Sequence, residues 1–497
     1  MPSITPQKLH QLFKQTWEGT PYLYLTNNKP IENIEKQLLA AYNASQKQAV
    51  KAPETKAIAE FGYSQFGEAG QIVADQRDAT TGIRKLEFAN GVRLNLKPTS
   101  FNQGLTLVSL NIGFGEVPFP ELDGLSYLFN SAFVQGGLGL HDLDSLQEIF
   151  AGQDISVSLS LREQSFGGEI STNAAELRTQ LGVLTAYLVD PGMDKQAEQL
   201  FREQVIAEQQ SIHSNPQLEF SNQFARIAHN GDKRYGYGNP DEILKRQFAE
   251  LAPSFHSAVQ QGAIELAIVG DFDEDKAIAE VAQTLGAISR QPIPKGQTIV
   301  PVFPNVPAQM SLTHYGQVDM AALAQVWPTA DMSNPRELVG LGLLEQVLSI
   351  LLTENVREKA GASYSPSAFS YNDLNPTGYG YLGLFSVTTT AMLHEVAKHY
   401  AAAVKQVKTP SGISEDLLNR ARQPVLEWMQ MAPQSNNFWL DLASTAQSQP
   451  ERFATFNQRL ALVQQITLAE LSQLAQKYLK DDKRLTIETL PAPVTAP

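Results

Sequence analysis

At 497 residues the chain is longer than one hydrophobic core supports and predicts two to four domains. A formal net charge of −14, with no clustered basic stretch, excludes a nucleic-acid partner, because phosphate binding needs concentrated Lys and Arg. The absence of cysteine removes disulfides, thiolate zinc sites and cysteine nucleophiles together, and no apolar run approaches the ~20 residues of a membrane span, so membrane insertion is not expected.

The chain opens with ITPQKLHQLFKQTWEGTPYLYL from Ile4, and near its end stands ITLAELSQLAQKYLKDDKRLTIETL from Ile466. Ile4, Thr5, Leu9, Gln11, Leu12 and Leu23 recur in register as Ile466, Thr467, Leu471, Gln473, Leu474 and Leu485. A looser copy runs LAPSFHSAVQQGAIELAIVGD from Leu251. Each copy predicts an N-capped amphipathic helix followed by an apolar strand. The first and the Leu251 copies then continue into another helix, IENIEKQLLAAYNAS and DEDKAIAEVAQTLGAI. In the two later copies the unit closes a block of residues, whereas at Ile4 nothing stands in front of it. Residues 1–50 are therefore expected to be the C-terminal remnant of a preceding domain, and MPSITPQKLH, which has no apolar signal core, is no guide to destination.

Residues 51–80 are polar, punctuated by Gly and Pro, and predict a linker. A domain over 81–300 starts at KLEFANGVRLNLKP, where Asn90-Gly91 signals a hairpin between alternating strands. LTLVSLNIGFG adds a strand, and helices are predicted over 124–133, 145–150, 173–188 and 194–212. The segment 290–307 is a Pro-rich connection to a last domain, 301–497. There Leu344, Val347, Leu348, Leu351 and Leu352 follow the i, i+3, i+4, i+7, i+8 spacing of a core helix. The expected fold class is α+β: two similar domains, each a mostly antiparallel sheet with helices on one side.

HEVAKH, His394 to His399, invites comparison with the H-E-x-x-H of zinc peptidases. Here the histidines are five apart, which turns them roughly 140° from one another on a helix, so they cannot share one ion. The Gly-rich QGGLGLHD from Gln135 lacks the Lys-Ser/Thr of a phosphate-binding loop and is read as a connecting loop. No G-x-S-x-G elbow is present for a serine hydrolase.

The stretch EVPFPELDGLSYLFNSAF from Glu116 follows a strand ending in Gly113-Phe114-Gly115. It resembles the pitrilysin/insulinase family of metallopeptidases, in which a strand, a Gly and an acidic-Pro loop precede a helix bearing the inverted motif H-x-x-E-H. On that resemblance Tyr127 stands at the first His, Asn130 at the catalytic Glu and Ser131 at the second His. A further Glu ligand is implied on the helix containing FREQVIAEQQS, at Glu203 or Glu208, with the register open. Neutral phenol, amide and hydroxyl are poor zinc ligands, and none is a base near neutral pH. No metal and no catalytic residue is therefore expected on this chain alone; Tyr127, Asn130 and Ser131 are degenerate positions of a vestigial pocket.

The last domain carries RELVGLGLLEQVLSILLTENVREKAGASYSPSAFSYND, similar to the family's long apolar helix followed by an Arg and, seven residues on, a Tyr. The resemblance implies that the half without zinc supplies this pair, here Arg357 and Tyr364, across a closed chamber to the partner's metal site. A guanidinium and a phenol OH can stabilise an oxygen that gains negative charge as a peptide carbonyl is attacked. The resemblance spans about residues 80–497 and implies two domains of the LuxS/processing-peptidase-like metallopeptidase fold. The implied function is the inactive half of a clamshell zinc metallopeptidase, with zinc on an N-terminal half that is fused or separate. The implied substrate is a peptide or small unfolded protein, and the implied location is periplasmic, otherwise cytoplasmic. The alternative is a structural or peptide-binding subunit with no role in proteolysis.

Overall fold

The structure is a computed structural model that describes residues 4–17, 19, 21–27, 29–48, 60–113, 117–162, 165–292, 299–373 and 378–493. The chain divides into two compact units, residues 1–58 and 59–497. The first holds helices α1 (Pro6–Thr16) and α2 (Ile34–Ser45). Thr5 caps α1 by accepting from the Lys8 N–H, and Pro6 sits in the first turn, where its missing N–H costs nothing. The strand expected after α1 does not form: residues 21–27 are irregular. A strand persists only where neighbours pair its backbone, and no described residue pairs with this segment.

The second unit begins its regular structure with strand β1 (Ile72–Arg77), inside the stretch expected to be linker. This is a correction. IVADQR has no apolar alternation because it is an exposed edge strand, held by pairing with β2 (Arg84–Phe88) rather than by burial. The Asn90-Gly91 hairpin joins β2 to β3 (Val92–Pro98); Gly91 takes φ +79°, and the Asn90 side chain accepts from the Val92 N–H. β4 (Thr106–Gly113) leads to α3 (Leu125–Ala132) and α4 (Leu143–Ile149), then β5 (Ser160–Leu161) and β6 (Ser165–Thr172). Next come α5 (Leu177–Val189), α6 (Lys195–His213), α7 (Pro216–Ala228), the short α8 (Pro240–Ile243) and α9 (Phe248–Gln261). β7 (Ile264–Gly270) and α10 (Glu274–Ala282) complete the first domain.

The second domain runs β8 (Ala308–His314), β9 (Met320–Thr329), α11 (Pro335–Leu352), β10 (Ser367–Asn372) and β11 (Gly380–Thr389). It continues with α12 (Leu393–Lys408), α13 (Glu415–Met431), α14 (Asn436–Ala443), α15 (Arg452–Gln465), α16 (Leu468–Tyr478) and β12 (Leu485–Pro491).

The two sheets are built alike. The first has the order β1-β2-β3-β7-β4-β6-β5 and the second β10-β11-β9-β12-β8. Read from the other edge, the second sheet repeats the last five strands of the first. In each, the closing strand inserts between a parallel neighbour (β3 for β7, β8 for β12) and an antiparallel one (β4, β9). All other pairings are antiparallel. The closing strand arrives from a helix in both cases, α9 into β7 and α16 into β12, which are the two later copies of the sequence repeat. α16 carries a capping box, Thr467 with Glu470.

One face of each sheet packs on its own helices. The first core gathers Leu94, Ile112, Leu128, Phe166, Leu181 and Phe255, and the second Trp327, Leu344, Leu348, Leu384, Tyr400 and Leu471. The other face is covered by a helix from the opposite domain. α14 lays Trp439, Leu440 and Ala443 on Ile83, Ala267 and Val269 of the first domain, while α7 lays Phe220, Phe224 and Ala228 on Ala324, Val326 and Ile487 of the second. This exchange adds to the helices-on-one-side arrangement that each domain has by itself.

Candidate functional site

The helix that follows β4 is the place to look for metal chemistry. Gly124 starts it in the left-handed region, φ +73°, and a Cβ there would lie 2.3 Å from Ile243 Cγ1, so only glycine fits. Leu125, Leu128, Phe129 and Ala132 turn into the core, which leaves Tyr127, Asn130 and Ser131 together on another face of α3. The three positions are thus neighbours.

None of them is arranged as a zinc ligand. The Tyr127 ring packs 4.3 Å from that of Tyr237 and 5.4 Å from that of Phe201, with its hydroxyl buried and without a hydrogen-bond partner. Asn130 is committed to the sheet: its Oδ1 accepts from the Leu161 N–H at 2.7 Å, and its Nδ2 donates to the Leu161 carbonyl at 3.4 Å. An amide can satisfy both backbone groups of the edge strand β5; a carboxylate could only accept, and would face the carbonyl oxygen with like charge. Ser131 is half-buried.

On α6, Glu203 is exposed and Glu208 half-buried. Burial pushes the Tyr237 hydroxyl up to about 12, and the charge of Glu208 pushes it the same way. One carboxylate beside two phenols, an amide and a hydroxyl does not make a zinc site. Among the described residues no group of three or more His, Asp or Glu side chains is placed to hold a metal. Tyr237 was not singled out from the sequence. HEVAKH lies on α12, where Glu395 pairs with Lys398 at 3.0 Å and with His399 at 3.4 Å.

Arg357 and Tyr364 come together. α11 is capped by Asn334, which accepts from the Arg336 and Glu337 N–H groups, and its apolar residues fill the second core. At its end the helix widens into a π-helical turn, Thr353–Lys359, in which Ala360 N–H reaches the Asn355 carbonyl. Gly361 then reverses the chain at φ +60°. Buried Val356 and Ala362 pin the turn from below, and the Thr388 hydroxyl donates to the Ala362 carbonyl. Arg357 and Tyr364 project outward from this frame, the guanidinium carbon 4.8 Å from the Tyr364 ring centre. Tyr364 is 80% exposed. Such an exposed cation–π contact is worth about 0.5–1 kcal/mol, enough to align the pair but little help to stability. The Arg357 guanidinium makes no hydrogen bond or ion pair with any described residue, which leaves its N–H groups open to a ligand. α11 and its π turn are long and apolar enough to cross a bilayer, but the apolar side chains of α11 pack into the second core.

The two like-built sheets, with a helix α3 that carries no imidazole or carboxylate, define a class of protein: a pair of similar α+β domains. Residues 249–425 match the family model described as peptidase M16 inactive domain. Over 508 aligned residues the chain is 22% identical to the probable zinc protease PqqL of Escherichia coli (strain K12), covering 96% of this chain and 54% of that protein. It is 21% identical to the chloroplastic stromal processing peptidase of Oryza sativa subsp. indica, over 82% of this chain and 37% of that one. The chain thus spans about half of PqqL and less of the plant enzyme. The crystal structure of the periplasmic protease PqqL superposes with a TM-score of 0.71 at 17% identity, over 99% of this chain and 55% of that one. The M16 inactive domain from Pseudomonas fluorescens gives 0.69 at 16% identity, over 84% and 100%. The family resemblance and the fold class read from the sequence are therefore borne out.

Proposed function

We propose that this chain is the non-catalytic half of a clamshell zinc metallopeptidase. It encloses a peptide or small unfolded protein and lends Arg357 and Tyr364 to the zinc site of the other half. The observation that carries this is the Arg357–Tyr364 pair itself: two exposed donors, held side by side on a turn anchored by buried Val356 and Ala362, with the guanidinium N–H groups unspent. Support for a second half comes from PqqL, of which this chain spans 54%. Aimed at a carbonyl oxygen that gains negative charge, one such donor is worth roughly 10²–10³ in kcat. A periplasmic location is part of this proposal, supported by the description of PqqL as a periplasmic protease.

The test pairs the chain with its zinc-bearing half and follows hydrolysis of a quenched peptide. Arg357→Ala or Tyr364→Phe should lower kcat by about 10²–10³, with zinc content unchanged. Wild-type turnover by both variants would leave the structural-subunit alternative standing instead.

A further inference from the structure

A cavity of about 630 Å³ opens between α13, α14 and α15 and the loop leading into α11, and neither Arg357 nor any residue of α3 lines it. That is within the roughly 300–1,000 Å³ of small-molecule pockets. Three aromatic rings wall it: Phe456 packs edge-on against Phe438, centres 4.8 Å apart, and Trp428 stands 6.4 Å from Phe456. Trp428 is 62% exposed, an unusual position for an indole.

Two cations line the same space and differ in kind. Arg452 is spent: it holds the Asp441 carboxylate at 2.6 Å, the Asp441 carbonyl at 2.6 Å and the Thr445 hydroxyl at 2.8 Å. Arg459, seven residues further along α15, lies on the same helix face. It makes no hydrogen bond or ion pair with any described residue, and burial holds its guanidinium below the ordinary arginine range. Glu451 also lines the cavity, but it stands at the start of α15, about 12 Å along the axis from Arg459. A partly desolvated guanidinium without a counter-ion is costly to keep, and the group that repays it is an anion delivered with apolar surface.

We propose that this cavity binds a carboxylate carried on an aromatic or bulky apolar body, with Arg459 taking the carboxylate and Trp428, Phe438 and Phe456 the body. A free aromatic acid and the C-terminal residue of a peptide share this chemistry. Calorimetry on the full chain would use N-acetylphenylalanine, a tetrapeptide ending in phenylalanine with a free carboxylate, and the same tetrapeptide as its C-terminal amide. Both acids should bind and the amide should not; tighter binding of the tetrapeptide acid assigns the site to peptide ends, equal binding to free acids. Arg459→Gln should weaken the acid about 10- to 100-fold, while Arg459→Lys retains part of the affinity. Trp428→Ala, at a site too exposed to matter for folding, should weaken it severalfold. The proposal fails if the amide binds as well as the acid, if folded Arg459→Gln binds like the wild type, or if no acid binds up to millimolar concentration.

Discussion

Asn130 and Glu345 do comparable work at corresponding places in the two domains. Asn130 ties α3 to the edge strand β5 through both backbone groups of Leu161. Glu345 ties α11 to β10, the matching edge strand, by accepting from the Ser370 hydroxyl. Burial raises the Glu345 carboxyl above its ordinary range, an effect the Ser370 bond only partly offsets. A raised folded-state value means the folded protein holds this proton more tightly than the unfolded chain. Its contribution to stability therefore falls as pH rises from about 4.3 through the folded value, then levels off. Glu345→Gln cannot ionise, so its thermal midpoint relative to wild type should climb between acid and neutral pH. A difference that stays constant with pH would show that Glu345 titrates normally. The sequence displayed these residues but not their duties: that Asn130 meets a strand's N–H and C=O depends on where residue 161 comes to lie.

At the scale of elements, the hairpin at Asn90-Gly91, helices α3, α5, α6 and α11, and the two helix–strand closures α9–β7 and α16–β12 were legible, since each rests on local turn chemistry or a helical period. β1 was not, because an edge strand is defined by its neighbour. Nor was the exchange of α7 and α14. The run IELAIVG in β7 is apolar on both faces, which signals cover from two sides, yet nothing in it says that a helix near residue 439 supplies one of them. Glu265 marks the same junction from within: its carboxylate accepts from Asn95 Nδ2 at 2.7 Å and from the Gln447 N–H at 2.8 Å, both neutral donors. Trp439 is the largest side chain in this contact, with its indole N–H donating to the Pro433 carbonyl and Lys97 lying 4.3 Å above the ring. Trp439→Ala should cost about 3–5 kcal/mol in urea unfolding. Because α14 packs one domain on the sheet of the other, the two domains should also unfold less cooperatively, as a broader or divided transition than that of the wild type. An unshifted, single transition would mean that α14 is a passive cover.

For the whole molecule, chemistry follows from donor inventory. A zinc ion needs about three imidazole, thiolate or carboxylate ligands, and the α3 face offers a phenol, an amide and a hydroxyl. The purified chain, dialysed and assayed by mass spectrometry, should therefore carry no stoichiometric zinc and should cleave no peptide unaided. One tightly held zinc per chain would overturn that reading and direct attention to Glu208. Residue identity along the chain was enough to settle the family resemblance and the missing ligands, because a coordination bond depends on atom type and no packing can supply an absent imidazole. Tertiary structure alone decided that Arg357 lies against Tyr364, that Asn130 serves the sheet, and that each domain lends a helix to the other. Those are contacts between residues far apart in the chain or across a turn, and such contacts are fixed by how the cores close.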